Sequence, residues 1–170
     1  MMNRTRLASI AAVAGLALVV LWAVLSGAPA KSGTQTGNEL PLTLTGKTLD
    51  GKRYDLAAYR GRPVVINFFA SWCPSCAREA ADLTAFAKAH PEVAFVGVDI
   101  QDKLAKGREW VMRYGVPFPV VFDREGAIAS QYGVIGIPVT FFLDGNGVER
   151  AHIVGPATRA GFEEKLRTAM

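Results

Sequence analysis

Cysteine and histidine are nearly absent, with two of each in 170 residues. A structural zinc site needs four such ligands, usually as two pairs, and a second cysteine pair does not exist here. A disulfide-stapled scaffold is excluded by the same count. It is also unnecessary, because half the residues are apolar and a chain of this length builds a core without staples. An excess of one charge is missing too. The net charge is +4, and from Lys31 onward 17 basic residues stand against 15 acidic ones. That balance describes a mixed solvated surface and points away from nucleic acid as a partner. There is no internal repeat, and the longest low-complexity tract is the linker Ser26–Asn38.

One long uncharged run is present. Met1–Arg6 carries Arg4 and Arg6 and no acid, and Leu7–Leu25 then has no charged residue over nineteen positions. Two readings compete. A cleaved signal peptide fits the basic start and the small-residue motif Ala28-Pro29-Ala30. An uncleaved signal anchor fits the length, which nearly spans a bilayer, and is the favoured reading. Either way, residues from about Lys31 onward lie outside the cytoplasm, in an oxidising space such as the periplasm. The expected division is residues 1–30 as signal anchor or signal peptide, 31–39 as linker and 40–170 as a folded domain.

Within that domain, Leu42–Thr45 alternates like a short strand, and Asp50-Gly51 signals a turn that returns along Lys52–Leu56. Leu56–Tyr59 forms a helical turn. Val64–Ala70 is nearly continuous in apolar and aromatic residues, as in a strand buried on both faces. A helix is predicted from Pro74 to His90, with Cys76, Ala80, Leu83 and Ala87 on one stripe and Pro91 as its stop. Val93–Ile100, Val120–Phe122 and Val139–Leu143 read as strands, and Val148–Val154 pairs back on the last of these. Lys103–Tyr114, ending at Gly115, then Gly126–Tyr132 and Thr158–Thr168 read as helices. Strands separated by helices imply parallel pairing and a mixed central sheet with helices on both faces.

The two cysteines form Cys73-Pro74-Ser75-Cys76. As half a metal site the pair lacks partners: His90 is placed at a helix end and His152 in a late strand, both as surface residues. As a structural bridge it closes too small a loop to restrict the unfolded chain much. Reversible dithiol–disulfide exchange fits better. Cys73 falls just before the first helical turn, where unpaired N–H groups and the positive helix end favour a thiolate. Trp72 shields one side and leaves the Cys73 sulfur open. Cys76 lies one turn on, on the apolar stripe. Cys73 attacks a substrate disulfide, and Cys76 then attacks Cys73 and releases the reduced product. A buried Cys76 needs a base, and Glu79 is the candidate proton acceptor; its alternative is a solvated helix carboxylate.

Asn67-Phe68-Phe69-Ala70-Ser71-Trp72-Cys73-Pro74-Ser75-Cys76-Ala77-Arg78-Glu79, together with Tyr132–Asp144, resembles the thioredoxin superfamily, specifically its TlpA/ResA/CcmG branch of extracytoplasmic thiol–disulfide oxidoreductases. The resemblance runs from about Leu40 to the C-terminus. It implies an α/β thioredoxin-like three-layer fold with an N-terminal β-hairpin extension. It implies a cis peptide before Pro138, and substrate docking at Trp72, Pro74, Ser75, Ile137 and Pro138. It implies no cofactor and no bound metal. The implied partners are a membrane thiol-electron transporter as reductant and a disulfide-containing client such as an apocytochrome c, with copper-site cysteines as a second target. The implied location is the bacterial inner membrane facing the periplasm, or the periplasm itself if the signal is cleaved. This chain departs from the pattern at three places: Asn67 replaces the buried Asp of thioredoxins, Ala81 replaces the helix-kinking proline, and Val139 stands where the dedicated cytochrome c form has Glu-Thr. The alternatives are a Sco-like copper carrier, whose cysteines are spaced by three, and a thiol peroxidase, suggested by Phe118–Asp123.

Overall fold

The computed structural model describes residues 43–170. The signal-anchor or signal-peptide reading, the linker and Leu42 lie outside the described residues. Among the described residues no helix is long and apolar enough to cross a membrane.

The elements follow the expected order. A hairpin of β1 (Thr45–Lys47) and β2 (Arg53–Asp55) leads into a 3-10 turn (Leu56–Tyr59). Then come β3 (Val64–Phe69), α1 (Pro74–Ala89), β4 (Ala94–Ile100), α2 (Leu104–Tyr114), β5 (Val120–Asp123), α3 (Ala127–Gln131), β6 (Val139–Leu143), β7 (Glu149–Val154) and α4 (Arg159–Leu166). The five-stranded sheet has the order β5-β4-β3-β6-β7. β3, β4 and β5 run parallel, while β6 and β7 are antiparallel additions.

β3 is the axis of this sheet. Its six residues are all buried, as its nearly continuous apolar run requires. Val65 joins the cluster formed by Leu83, Phe86, Phe142 and Phe162 under α1 and α4. Val64, Ile66 and Phe68 face the opposite layer, where Leu44, Tyr54, Leu56, Ala129 and Tyr132 cover the sheet. Helices therefore lie on both faces, but unequally: α1, α4 and, through Trp110, α2 cover one, and only short α3, helped by the hairpin, covers the other.

Two expectations need correction. The first strand begins at Thr45, three residues later than its alternation suggested. Its register is set by the turn: Gly51 N–H bonds Thr48 O at 2.8 Å, with Gly51 at φ 88°, so pairing runs from Lys47↔Arg53 to Thr45↔Asp55. Leu44 lies fully buried before the strand. The hairpin also bonds to the sheet edge through Leu49 N–H to Val120 O at 2.8 Å, which shields β5. Secondly, His90 is not a free surface residue. It caps α1 half-buried against Phe86, with Glu92 at 2.8 Å and Glu163 at 2.9 Å. Burial lowers its pKa, but the two carboxylates outweigh burial and the net shift is upward. His152 is exposed and pairs with Glu149.

Candidate active site

The chain leaves β3 at Phe69, turns through Ala70-Ser71-Trp72, and enters α1 with Cys73 as N-cap. Pro74 occupies the first helical position, where a missing N–H leaves nothing unbonded. The Cys73 sulfur accepts the Cys76 N–H at 3.1 Å. Cys73 and Cys76 are joined as a disulfide across a Cα separation of 5.3 Å. This is the oxidised half of the exchange couple. The Ser75 hydroxyl lies 3.2 Å from the Cys73 sulfur and the Ile137 carbonyl oxygen 3.8 Å from it.

Ile137–Pro138 is cis. The resemblance implied that bond, and base rates alone do not. The loop carrying it and the helix start meet at Cys73. Beside them runs a groove bounded by Trp72, Gln101, Ala129, Ile135 and Ile137. Trp72 is 57% exposed and Ile135 fully so. Pro74 is exposed, Ser75 and Ile137 half-buried, and Pro138 buried. The open Cys73 sulfur expected from the sequence is not observed in this oxidised form. Cys73 exposes 4% and Cys76 1%, with the Ser75 hydroxyl and the Ile137 carbonyl against the first sulfur.

Glu79 is the larger surprise. It is 2% exposed, so the solvated-helix alternative is wrong. Its Oε1 accepts from the Asn67 amide at 2.9 Å and its Oε2 from the Ala157 N–H at 3.1 Å. The same Asn67 amide donates to Thr140 Oγ1 at 2.9 Å. Burial pushes the Glu79 carboxyl up to about 7, against the pull of those two donors. Glu79, Cys76, Asn67 and Trp110 line one cavity of about 20 Å³, room for a single water. A carboxyl tuned to neutrality, one helical turn from a buried cysteine, is suited to moving a proton.

A family model described as the AhpC/TSA family matches residues 36–152. The chain belongs to that family. Within it, the chain is 30% identical over 122 residues to the thiol-disulfide oxidoreductase ResA of Geobacillus thermodenitrificans, covering 71% of this chain and 70% of that one. It is 35% identical over 117 residues to the thiol:disulfide interchange protein DsbE of Vibrio cholerae, covering 68% of this chain and 62% of that one. A secreted Mycobacterium tuberculosis disulfide oxidoreductase, described as homologous to Escherichia coli DsbE, superposes with a TM-score of 0.70 at 28% identity, covering 74% of this chain and 96% of that one. This is a thiol–disulfide oxidoreductase of the DsbE/ResA type, with a thioredoxin-like fold.

The oxidoreductase holds polar residues around the dithiol that sequence reasoning missed. Asn67 was noted only as a departure, and Thr140 not at all. Both point to the α1 side of the sheet, where Asn67 bonds Glu79 and Thr140 accepts from Asn67. The only available signal was their polarity inside apolar strands. Asp99 gave the same unread signal. It is the lone acid in Val93–Ile100, and it is wholly buried. Burial, then the neighbouring Asp102 carboxylate, push it up to about 8.

Proposed function

We propose that the domain is an extracytoplasmic reductant of protein disulfides, with Cys73 as the attacking thiol, Cys76 as the resolving thiol and Glu79 as its base. The observation that supports this most is Glu79 buried in the cavity that Cys76 lines, with a pKa near neutrality. In the reduced protein the Cys73 thiolate attacks one sulfur of the client disulfide. A Cys73–client bond forms, and the other client sulfur leaves as thiolate. The Cys76 proton passes to the Glu79 carboxylate, directly or through one water. The Cys76 thiolate attacks Cys73, the intramolecular disulfide forms, and the second client sulfur leaves. The client gains two electrons and this protein loses two.

The helix start supports the Cys73 role, since its sulfur already accepts a helix N–H. Trp72, Pro74, Ser75, Ile137 and Pro138 frame the docking face for the client. The N-terminal segment supports tethering to the bacterial inner membrane with the domain in the periplasm, or release there after cleavage at Ala30. A dithiol in an oxidising space needs recharging, which makes a membrane thiol-electron transporter the natural donor. Cysteines of an apocytochrome c haem site are the proposed client, and copper-site cysteines the second.

Equilibration against glutathione tests the direction. A potential well below about −200 mV supports the reductant, and one near about −120 mV makes the protein an oxidant. In the same preparation, tight stoichiometric Cu(I) binding would favour a copper carrier, and rapid peroxide consumption a thiol peroxidase.

A further inference from the structure

A second pair of carboxyls, one wholly buried and one half-buried, lies under the loop that leads into Cys73, and the exchange chemistry above does not use it. Asp99 sits near the end of β4, paired in register with Phe69 at the end of β3. Its side chain is fully buried, and among the described residues neither carboxyl oxygen has a hydrogen-bond donor. Gly107 of α2 packs so tightly on this carboxyl that any Cβ there would overlap it and would also crowd Leu49. The charged group that acts on Asp99 is another acid, Asp102.

Asp102 is committed to the redox loop. Its Oδ2 accepts the Ser71 N–H at 2.6 Å and its Oδ1 the Lys103 N–H at 2.6 Å. Between the two acids, Gln101 adopts a left-handed backbone at φ 48°, and its carbonyl accepts Trp72 Nε1–H at 3.2 Å. The end of β4 thus grips both residues that precede Cys73.

No cation neutralises this pair among the described residues. Arg108 of α2 donates to the Leu49 carbonyl, and Lys106 pairs with Glu109. In the hairpin, Lys52 pairs with Asp50. On β5, Asp123 accepts the Ala129 N–H. Lys103 reaches the pair only through its backbone N–H. A wholly buried carboxylate with no donor and no counter-ion, set beside a second, half-buried carboxylate, is not tolerated, and such a pair retains a proton.

We propose that Asp99 and Asp102 hold one proton between them and act as positioning residues for the redox loop, protonated Asp99 donating to Asp102 and Asp102 in turn fixing Ser71, Trp72 and hence Cys73. Asp99, raised to about 8, sheds this proton in mildly alkaline solution. Burial alone would raise Asp102 as well, but its N–H donors leave it below the ordinary carboxylate range, so Asp102 is the member that stays ionised. Once both are anions they repel. Asp102, half-buried, turns toward solvent and lets go of Ser71.

The inference rests on Cys73 being the attacking thiol, so the test carries one readout that does not depend on it. The first readout is the rate at which the reduced full chain attacks an aromatic disulfide reagent, followed across neutral and alkaline pH. Asp99→Asn supplies a permanent N–H donor to Asp102, and this variant should lose an alkaline decline of roughly tenfold that the wild type shows. Asp102→Ala should run roughly tenfold slow at every pH. The second readout is infrared: a carboxylic-acid carbonyl band that titrates near 8, persists in Glu79→Gln and vanishes in Asp99→Asn. If Asp99→Asn does not fold, the Glu79→Gln spectrum alone decides. Matching pH profiles in wild type and Asp99→Asn, or no such band in Glu79→Gln, overturns the proposal. Loss of attack in Cys73→Ser alongside an unchanged band would separate the proton pair from the assignment of the nucleophile.

Discussion

Two buried acids flank the dithiol, and the fold treats them in opposite ways. Glu79, on the α1 side, has a donor for each oxygen: the Asn67 amide and the Ala157 N–H. Asp99, at the end of β4, has none and faces a second carboxylate. Burial raises both pKa values, yet the donors hold Glu79 near 7 whereas Asp99 reaches about 8. Donors make a buried carboxyl a proton carrier that ionises easily. An acid neighbour makes it a proton store. The first arrangement suits a base that must cycle at each turnover, and the second suits a contact that must hold through the cycle.

The largest expected effect sharpens the contrast by removing the thiol that Glu79 serves. Cys76→Ser should abolish turnover and leave Cys73 bound to client as a mixed disulfide, visible by mass spectrometry of non-reduced samples. If adducts do not accumulate, resolution by Cys76 is wrong. The next change converts one site into the other. Asn67→Asp puts a second acid beside Glu79 and removes its amide donor. The neutral inflection in the resolution rate should then move to higher pH, and an inflection left in place would show that Asn67 does not tune Glu79.

Stability gives a smaller, shared signature. Glu79 has a folded pKa of about 7 against 4.5 for the free side chain, and Asp99 about 8 against 3.8. Between those values the folded state binds more protons than the unfolded chain. Stability therefore falls as pH rises through these windows, and the full cost is reached only above the folded pKa values. The cost from Glu79 is of order 3 kcal/mol. Denaturant unfolding should show a more stable protein near about pH 5 than near about pH 8, with Glu79→Gln and Asp99→Asn each flattening the slope. The smallest effect is expected on the surface. Arg113→Ala removes an exposed pair with Glu109 and should leave both Tm and exchange rate unchanged.

Much of this arrangement was legible in the sequence because its signals are local. The apolar run of β3, Pro74 at the head of α1, the Cys76–Ala87 stripe and Gly115 after α2 each act within a few residues. Gly115 takes the left-handed cap at φ 59°. The resemblance supplied the cis bond before Pro138, which composition cannot signal. The parts that escaped are non-local. Asn67 meets Thr140 across the strand register of β3 and β6. Ala157 reaches Glu79 from 78 residues away. Asp99 and Asp102 matter only because β4 ends beside the β3 loop. In each case the contact that matters joins a polar residue to a group on a different element of the fold.

The most direct test is the pH dependence of the resolution step in wild type and Glu79→Gln, measured on a preformed Cys73 mixed disulfide. The account requires a wild-type rate that rises through an inflection near 7. In the variant that inflection should be lost and the neutral rate should fall roughly 10²-fold, while attack by Cys73 is unchanged. A variant whose resolution rate and pH profile match the wild type would contradict the role given to Glu79.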